Sequence, residues 1–134
     1  MNDDPLYVAR WMSTDLITTS SDAVLSDALA QMEDARIRHL PVTEGDTLVG
    51  LLSDRDARRL VHGEQTEGSD ACSVGDVMTA ADKLKCIDPG TLVRSAAEVL
   101  CREKISSLPV IAGERLVGIV TSEDLLWAFL DLPE

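Results

Sequence analysis

The chain contains one stretch twice. IRHLPVTEGDTLVGLLSDRD, residues 37–56, returns as ISSLPVIAGERLVGIVTSED, residues 105–124, and without a gap the copies agree at Ile37, Leu40, Pro41, Val42, Gly45, Leu48, Val49, Gly50 and Asp56. Nine identities in twenty positions compare with roughly one expected from average composition. A repeat of this size cannot bury its own apolar face, so it needs a partner repeat. The 134 residues suffice for one compact domain of ordinary size, in which the two repeats are expected to share a core.

Within the stretch, the run Leu40-Pro41-Val42, a glycine-containing turn and the run Leu48 to Leu52 read as a hairpin of short, largely buried strands. Ser53 and Asp56 follow, three residues apart, and Thr121 and Asp124 repeat them. A hydroxyl followed three residues later by a carboxylate marks a helix start, because the two side chains satisfy N–H groups of the first turn.

Upstream, Leu16 to Thr19 reads as a short strand, and Ser20-Ser21-Asp22 offers polar caps for a helix over about Ala23 to Arg36. Its apolar positions are Val24, Leu25, Ala28, Leu29 and Met32. The second copy gives a strand over Leu84 to Ile87, then Asp88-Pro89-Gly90-Thr91, then a helix over Leu92 to Lys104. Arg36 and Lys104 stand near the ends of these helices, where positive charge suits the dipole. Leu6, Val8, Trp11 and Met12 form a loose helical pattern that could dock a turn or two on the core, with Val74 to Met78 as its counterpart. The second repeat holds two extra residues near Ala81-Asp82, expected in a loop. His62 to Cys72 is polar and acidic and reads as a connector. The organisation is thus a first repeat over 5–62, a linker over 63–72 and a second repeat over 73–131. Arg58 and Arg59 read as solvated helix-face residues. In the last helix, Ser122 to Leu130, the residues Leu125, Leu126, Trp127, Phe129 and Leu130 offer more apolar surface than one helix side buries. Either a second chain packs there, or the helix is an internal core element.

A net charge of -12 repels phosphate backbones and anionic lipid, which argues against nucleic acid and membrane partners. Two Trp, one Tyr and one Phe leave little for base stacking. No apolar run is long enough to span a bilayer, and MNDDPLYVARWM lacks the regions of a signal peptide, so a soluble cytoplasmic protein is expected. Cys72, Cys86 and Cys101 form no C-x-x-C pair, and His39 and His62 stand apart from them; neither disulfides nor a metal is expected. Neither G-x-S-x-G nor G-x-x-x-x-G-K-[S/T] occurs, so no catalytic residues are assigned.

Each repeat reads strand, helix, strand, strand, helix. With its LPV strand, turn glycine, LVG and [S/T]-x-x-D at constant spacing, it resembles a cystathionine β-synthase (CBS) domain, and two in tandem resemble a Bateman module. The resemblance spans about Val8 to Leu130. It implies a mixed α/β fold, α+β in layering: two βαββα repeats packed about a pseudo-twofold axis, with small three-stranded sheets covered by helices. It also implies a non-catalytic regulatory module, a homodimer signalling to a protein target not identified by sequence. The ligands implied are adenosine-containing, AMP, ADP, ATP or S-adenosylmethionine, bound as regulators and not as cofactors.

In that family two clefts lie between the repeats, the Asp holding ribose hydroxyls and backbone near the first strand reading the base. Carried over, one cleft combines Thr18, Thr19, Arg38 and His39 with Thr121 and Asp124. The other combines Lys85, Cys86, Ile87, Ser106 and Ser107 with Ser53, Arg55 and Asp56. The residue types suit the role: a carboxylate accepts two hydroxyl donors, a helix start attracts phosphate, and a guanidinium grips it in forked fashion. Plainer roles stand beside these. The two hydroxyl–Asp pairs serve equally as helix caps, Arg38 as a surface ion-pair residue, and His39 as a packing residue beside Pro41. Glu123 would offset Arg38, so the two clefts are expected to differ in occupancy. The alternative function is a structural dimerisation module with empty clefts.

Overall fold

The computed structural model describes residues 4–61 and 72–132; of the connector expected over His62 to Cys72, only Cys72 lies within them. A 3-10 turn at Val8–Arg10 precedes helix α1 (Leu25–Ala35), strands β1 (His39–Glu44) and β2 (Thr47–Ser53), and helix α2 (Asp54–Val61). The short helix α3 (Val74–Val77), strand β3 (Thr79–Ala80) and a 3-10 turn at Ala81–Lys83 follow. Helix α4 (Val93–Glu103), strands β4 (Ser107–Ala112) and β5 (Arg115–Thr121) and helix α5 (Ser122–Leu130) complete the chain. The two inserted residues are taken up in the turn at Ala81–Lys83.

The elements form two compact units, Ile17–Leu84 in one and Met1–Leu16 with Lys85–Glu134 in the other. Each unit holds its own apolar cluster. One apolar cluster gathers Leu25, Leu29, Met32, Leu40, Val42, Leu52 and Ala57 around Val74. The other gathers Ala96, Leu100, Leu108, Val110, Val120 and Leu125 around Val8. Each repeat therefore closes its core with the segment that precedes the opposite repeat. The helical pattern at Leu6 to Met12 does dock, but as one 3-10 turn carrying the fully buried Val8.

The sheet in each unit grows from its hairpin. β1 and β2 pair antiparallel with His39 opposite Ser53, and β4 and β5 pair likewise with Ser107 opposite Thr121. Gly45 and Gly113 lead the two-residue turns at φ of 61° and 68°, a backbone region closed to most side chains. The strand expected over Leu16 to Thr19 shrinks to one parallel bridge: the Thr19 N–H donates to the Pro41 carbonyl at 3.0 Å, and the Thr43 N–H to the Thr19 carbonyl at 2.9 Å. The next ladder bond back would need an N–H from Pro41, which has none. Pro109 limits the second repeat to Ile87 in the same way, with bonds of 3.0 and 2.8 Å.

On the far side of each hairpin an exchanged segment adds an edge. β3 pairs with Gly50 and Leu51, while Ser13 bridges Ile119 through bonds of 2.8 and 3.0 Å. The LVG glycines make room for it. A Cβ on Gly118 would lie 2.6 Å from the Met12 sulfur and 3.0 Å from the Ser13 carbonyl oxygen. A Cβ on Gly50 would meet the Met78 sulfur and lie 2.9 Å from the Thr79 oxygen.

The helix starts also differ from expectation. α1 begins after Val24 with no side-chain cap; its first N–H, that of Leu25, donates to the Cys72 carbonyl at 3.0 Å. Ser20 instead bonds Asp22, Oγ to Oδ1, at 2.7 Å. In α4 the Val93 N–H donates to the Leu6 carbonyl at 2.8 Å, and Asp88 accepts from the Gly90 N–H at 2.8 Å to form the preceding turn. The exchanged segments thus cap both helices with backbone, and the polar residues shape the turns. At the other ends, Arg36 and Lys104 adopt left-handed conformations, φ 58° and 57°. The N–H groups of Ile37 and Ile105 reach back to the carbonyls of Met32 and Leu100, a closing turn that ordinarily uses glycine.

Candidate functional site

Each unit brings its share of the candidate residues to its sheet. In residues 17–84, β1 starts and β2 ends side by side, so His39 faces Ser53 and the Arg38 carbonyl accepts the Asp54 N–H at 2.8 Å. Arg55 and Asp56 follow in the first turn of α2, and Thr19 flanks β1 with Thr18 beside it. The other unit repeats the plan. Ser107 faces Thr121, the Ser106 carbonyl accepts the Ser122 N–H at 2.9 Å, Asp124 lies in the first turn of α5, and Ile87 flanks β4 with Lys85 and Cys86 before it.

Both hydroxyl–Asp pairs cap their helices. The Asp56 N–H donates to Ser53 Oγ at 3.1 Å. The second pair is reciprocal: the Asp124 N–H donates to Thr121 Oγ1 at 3.3 Å, and Asp124 Oδ2 accepts the Thr121 N–H at 2.9 Å. Capping occupies one carboxylate oxygen of Asp124. A carboxylate has about four acceptor sites, so the cap and a diol are compatible. Arg59 lies 3.7 Å from Asp56 Oδ1, the arginine exposed and the aspartate half-buried, a pair worth about 0–1 kcal/mol.

The remaining positions sort by burial. Thr18, Arg38, Arg55, Lys85 and Ser106 are exposed, Thr19, His39, Cys86 and Ile87 half-buried, and Ser107 buried. Thr19 and Ile87 use their backbone groups in the bridges to β1 and β4, and Ile87 also packs on the apolar cluster. Burial holds the His39 imidazole below its ordinary range; the Asp54 carboxylate opposes that shift and the Arg38 guanidinium adds to it. Burial pushes the Cys86 thiol up. Asp54 is the residue sequence reasoning missed, since nothing in the motif marks its electrostatic influence on His39. Arg58 is exposed, as expected of a solvated helix-face residue, and also lies 3.0 Å from Glu33 and 3.7 Å from Asp54. Among the described residues no helix is long and apolar enough to cross a membrane.

A family model described as the CBS domain matches the chain twice, over residues 8–63 and 74–131. The CBS domain-containing protein YhcV of Bacillus subtilis is 28% identical over 114 residues, covering 85% of this chain and 79% of that protein. A crystal structure of CBSX2 in complex with AMP superposes with a TM-score of 0.81 at 30% identity, covering 92% of this chain and 96% of that one. The CBS domain pair of protein MJ0100, solved with 5′-methylthioadenosine and S-adenosyl-L-methionine, superposes with a TM-score of 0.79 at 27% identity, covering 92% and 94%. Other relatives are far longer. The chain spans 21% of the inosine-5′-monophosphate dehydrogenase of Methanocaldococcus jannaschii, at 32% identity over 84% of its own length.

Proposed function

The chain belongs to the CBS-domain family, and from that premise we propose that it is a regulatory module that binds an adenosine-containing ligand and performs no chemistry of its own. The observation that carries this reading is the recurrence, in both units, of the same constellation: a helix-start carboxylate, the start of a strand and a flanking first strand at one sheet. Relatives solved with AMP and with S-adenosyl-L-methionine support the ligand class.

Asp56 and Asp124 accept the ribose hydroxyls with the oxygens that capping leaves available. Thr18, Cys86 and Lys85 stand where Pro41 and Pro109 interrupt strand pairing, and their backbone reads the base. Thr19 and Ile87 contribute side chains there, while His39, Ser106 and Ser107 line the strand starts. Ser53 and Thr121 face the sugar. Arg38 and Arg55 suit a phosphate, for which an exposed guanidinium offers two parallel donors. Signalling to a protein target requires ligand to favour one of two conformations. The reading includes a homodimer and a cytoplasmic location.

The test is thermal unfolding of the wild type and of Asp56→Asn and Asp124→Asn with AMP, ADP, ATP, S-adenosylmethionine and NAD. Asn loses the charge and one acceptor oxygen, which weakens both the cap and a diol contact; the melt without ligand reads the first and the ligand-induced shift reads the second. A ligand at a hundred times its Kd adds about 2.7 kcal/mol, a shift of several degrees. One ligand that stabilises the wild type and loses its effect in one Asp variant supports the reading. If no ligand shifts any melt and both variants melt lower, the carboxylates are caps and the module is a dimerisation scaffold.

A further inference from the structure

Each unit seats one methionine on the glycine of its LVG run. A Cβ on Gly118 would stand 2.6 Å from the Met12 sulfur, and a Cβ on Gly50 would meet the sulfur of Met78. Each sulfur thus fills the space that a side chain would take. A carbonyl oxygen borders each seat, that of Ser13 at 3.0 Å and that of Thr79 at 2.9 Å from the same point. Each methionine also ties a sheet edge to a core. The N–H groups of Met12 and Met78 donate to the carbonyls of Val8 and Val74 at 2.9 and 2.8 Å, and both valines are fully buried. The methionine side chains pack on the apolar clusters around those valines. Met12 and Met78 are only half-buried, whereas Met32 is fully enclosed.

We propose that Met12 and Met78 are oxidation sites through which a peroxide loosens the exchanged segments. A sulfur lone pair attacks one oxygen of hydrogen peroxide; the S–O bond forms as the O–O bond breaks, and the other oxygen leaves with both protons as water. Sulfur is oxidised by two electrons and the peroxide is reduced. The product, a sulfoxide, is polar where the thioether was apolar. Its oxygen only accepts hydrogen bonds, yet it would face the Ser13 or Thr79 carbonyl on one side and apolar carbon on the other. A polar group with no donor to meet it is unstable in such a seat. The oxidised side chain therefore turns out to water and uncovers its glycine. In one unit this strips the cover from the bonds between Ser13 and Ile119, 2.8 and 3.0 Å long; in the other it strips the pairing of β3 with Gly50 and Leu51. Methionine sulfoxide is enzymatically reducible, so the loosening is reversible. The proposal rests on packing within each unit and is independent of whether any ligand binds.

Graded addition of hydrogen peroxide to the full chain, followed by peptide mass mapping, tests it. Met12 and Met78 are expected to gain an oxygen about tenfold faster than Met32. In the oxidised chain, hydrogen exchange at Ser13 and Ile119 is expected to speed about tenfold and Tm to fall by roughly 5 °C. Met12→Leu with Met78→Leu keeps apolar packing of similar volume, removes both sulfurs and leaves Cys72, Cys86 and Cys101 in place; peroxide is expected to leave its melt unchanged. Exchange measured on wild-type chains that carry the oxygen on Met12 gives a readout that needs no variant. The proposal is overturned if Met32 is oxidised as fast as the other two, or if exchange at Ser13 and Ile119 stays unmoved in chains oxidised at Met12. So too if peroxide lowers the melt of the leucine variant as much as that of the wild type, which assigns the effect to the cysteines.

Discussion

Alanine at Gly118 tests whether the exchanged segment is locked to its sheet by the absence of a side chain. The new Cβ would stand 2.6 Å from Met12 Sδ and 3.0 Å from the Ser13 oxygen. The thioether can swing aside, at the cost of its contact with the apolar cluster around Val8, about 1 kcal/mol. The carbonyl cannot, because the Ile119 N–H holds it at 3.0 Å while the Ser13 N–H donates to Ile119 at 2.8 Å. Loosening both bonds costs about 1 kcal/mol each. Reduced freedom of the unfolded chain returns roughly 0.4–1 kcal/mol, leaving a net loss of about 2 kcal/mol, within the usual range for overpacking. For a chain of this size that lowers Tm by roughly 5–10 °C. Differential scanning calorimetry of Gly118→Ala, Met12→Ala and the double variant separates the contributions: if the carbonyl dominates, Gly118→Ala costs nearly as much with Met12 removed. A Gly118→Ala melt within about 2 °C of wild type refutes the argument.

Other outcomes follow from the helix ends and the titrating groups. Arg36→Gly and Lys104→Gly relieve a left-handed backbone, worth about 1–2 kcal/mol, against a larger unfolded-state entropy; urea unfolding is expected to show each slightly more stable, by about 0.5 kcal/mol. Thr121→Ala removes one partner of the reciprocal cap and is expected to lower stability by about 1 kcal/mol in the same assay. The folded value of His39 lies below its ordinary 6.5, so the unfolded chain binds the proton more readily. Its contribution is complete above about 6.5 and is lost as pH falls through the folded value; His39→Gln should flatten that slope in denaturant titrations across about pH 5–7. Cys101 is exposed and Cys86 is half-buried with a raised thiol, so a thiol reagent near neutral pH should modify Cys101 first, as peptide mass mapping would show.

The duplicated stretch made the hairpins and the starts of α2 and α5 readable, because local pattern and turn chemistry determine them. The apolar excess in α5 was readable for the same reason: Leu125 and Ala128 fill the inner side and leave Trp127 and Phe129 outside. What escaped depends on partners distant in sequence. Ser20 and Asp22 have the chemistry of caps, but the Cys72 carbonyl already meets the Leu25 N–H. The first strands ended early because of prolines in a neighbouring strand, a constraint periodicity does not register. Of the candidate residues, the caps at Ser53 and Thr121 follow from spacing alone. The depressed imidazole of His39 required Asp54, Arg38 and burial to be known together.

The exchanged segments also bear on how the chain is made. Val8, whose N–H bonds the Thr91 carbonyl at 2.9 Å, is synthesised long before the residues that bury it exist. During translation the first repeat must wait for Val74 to fill its core, and the segment around Val8 must wait for most of the second. Such distant pairings slow folding and leave apolar surface uncovered in the interval. A nascent chain halted after the first repeat would therefore present an open core to chaperones until Val74 emerges, and the unit around Val8 would stay open until β5 and α5 follow.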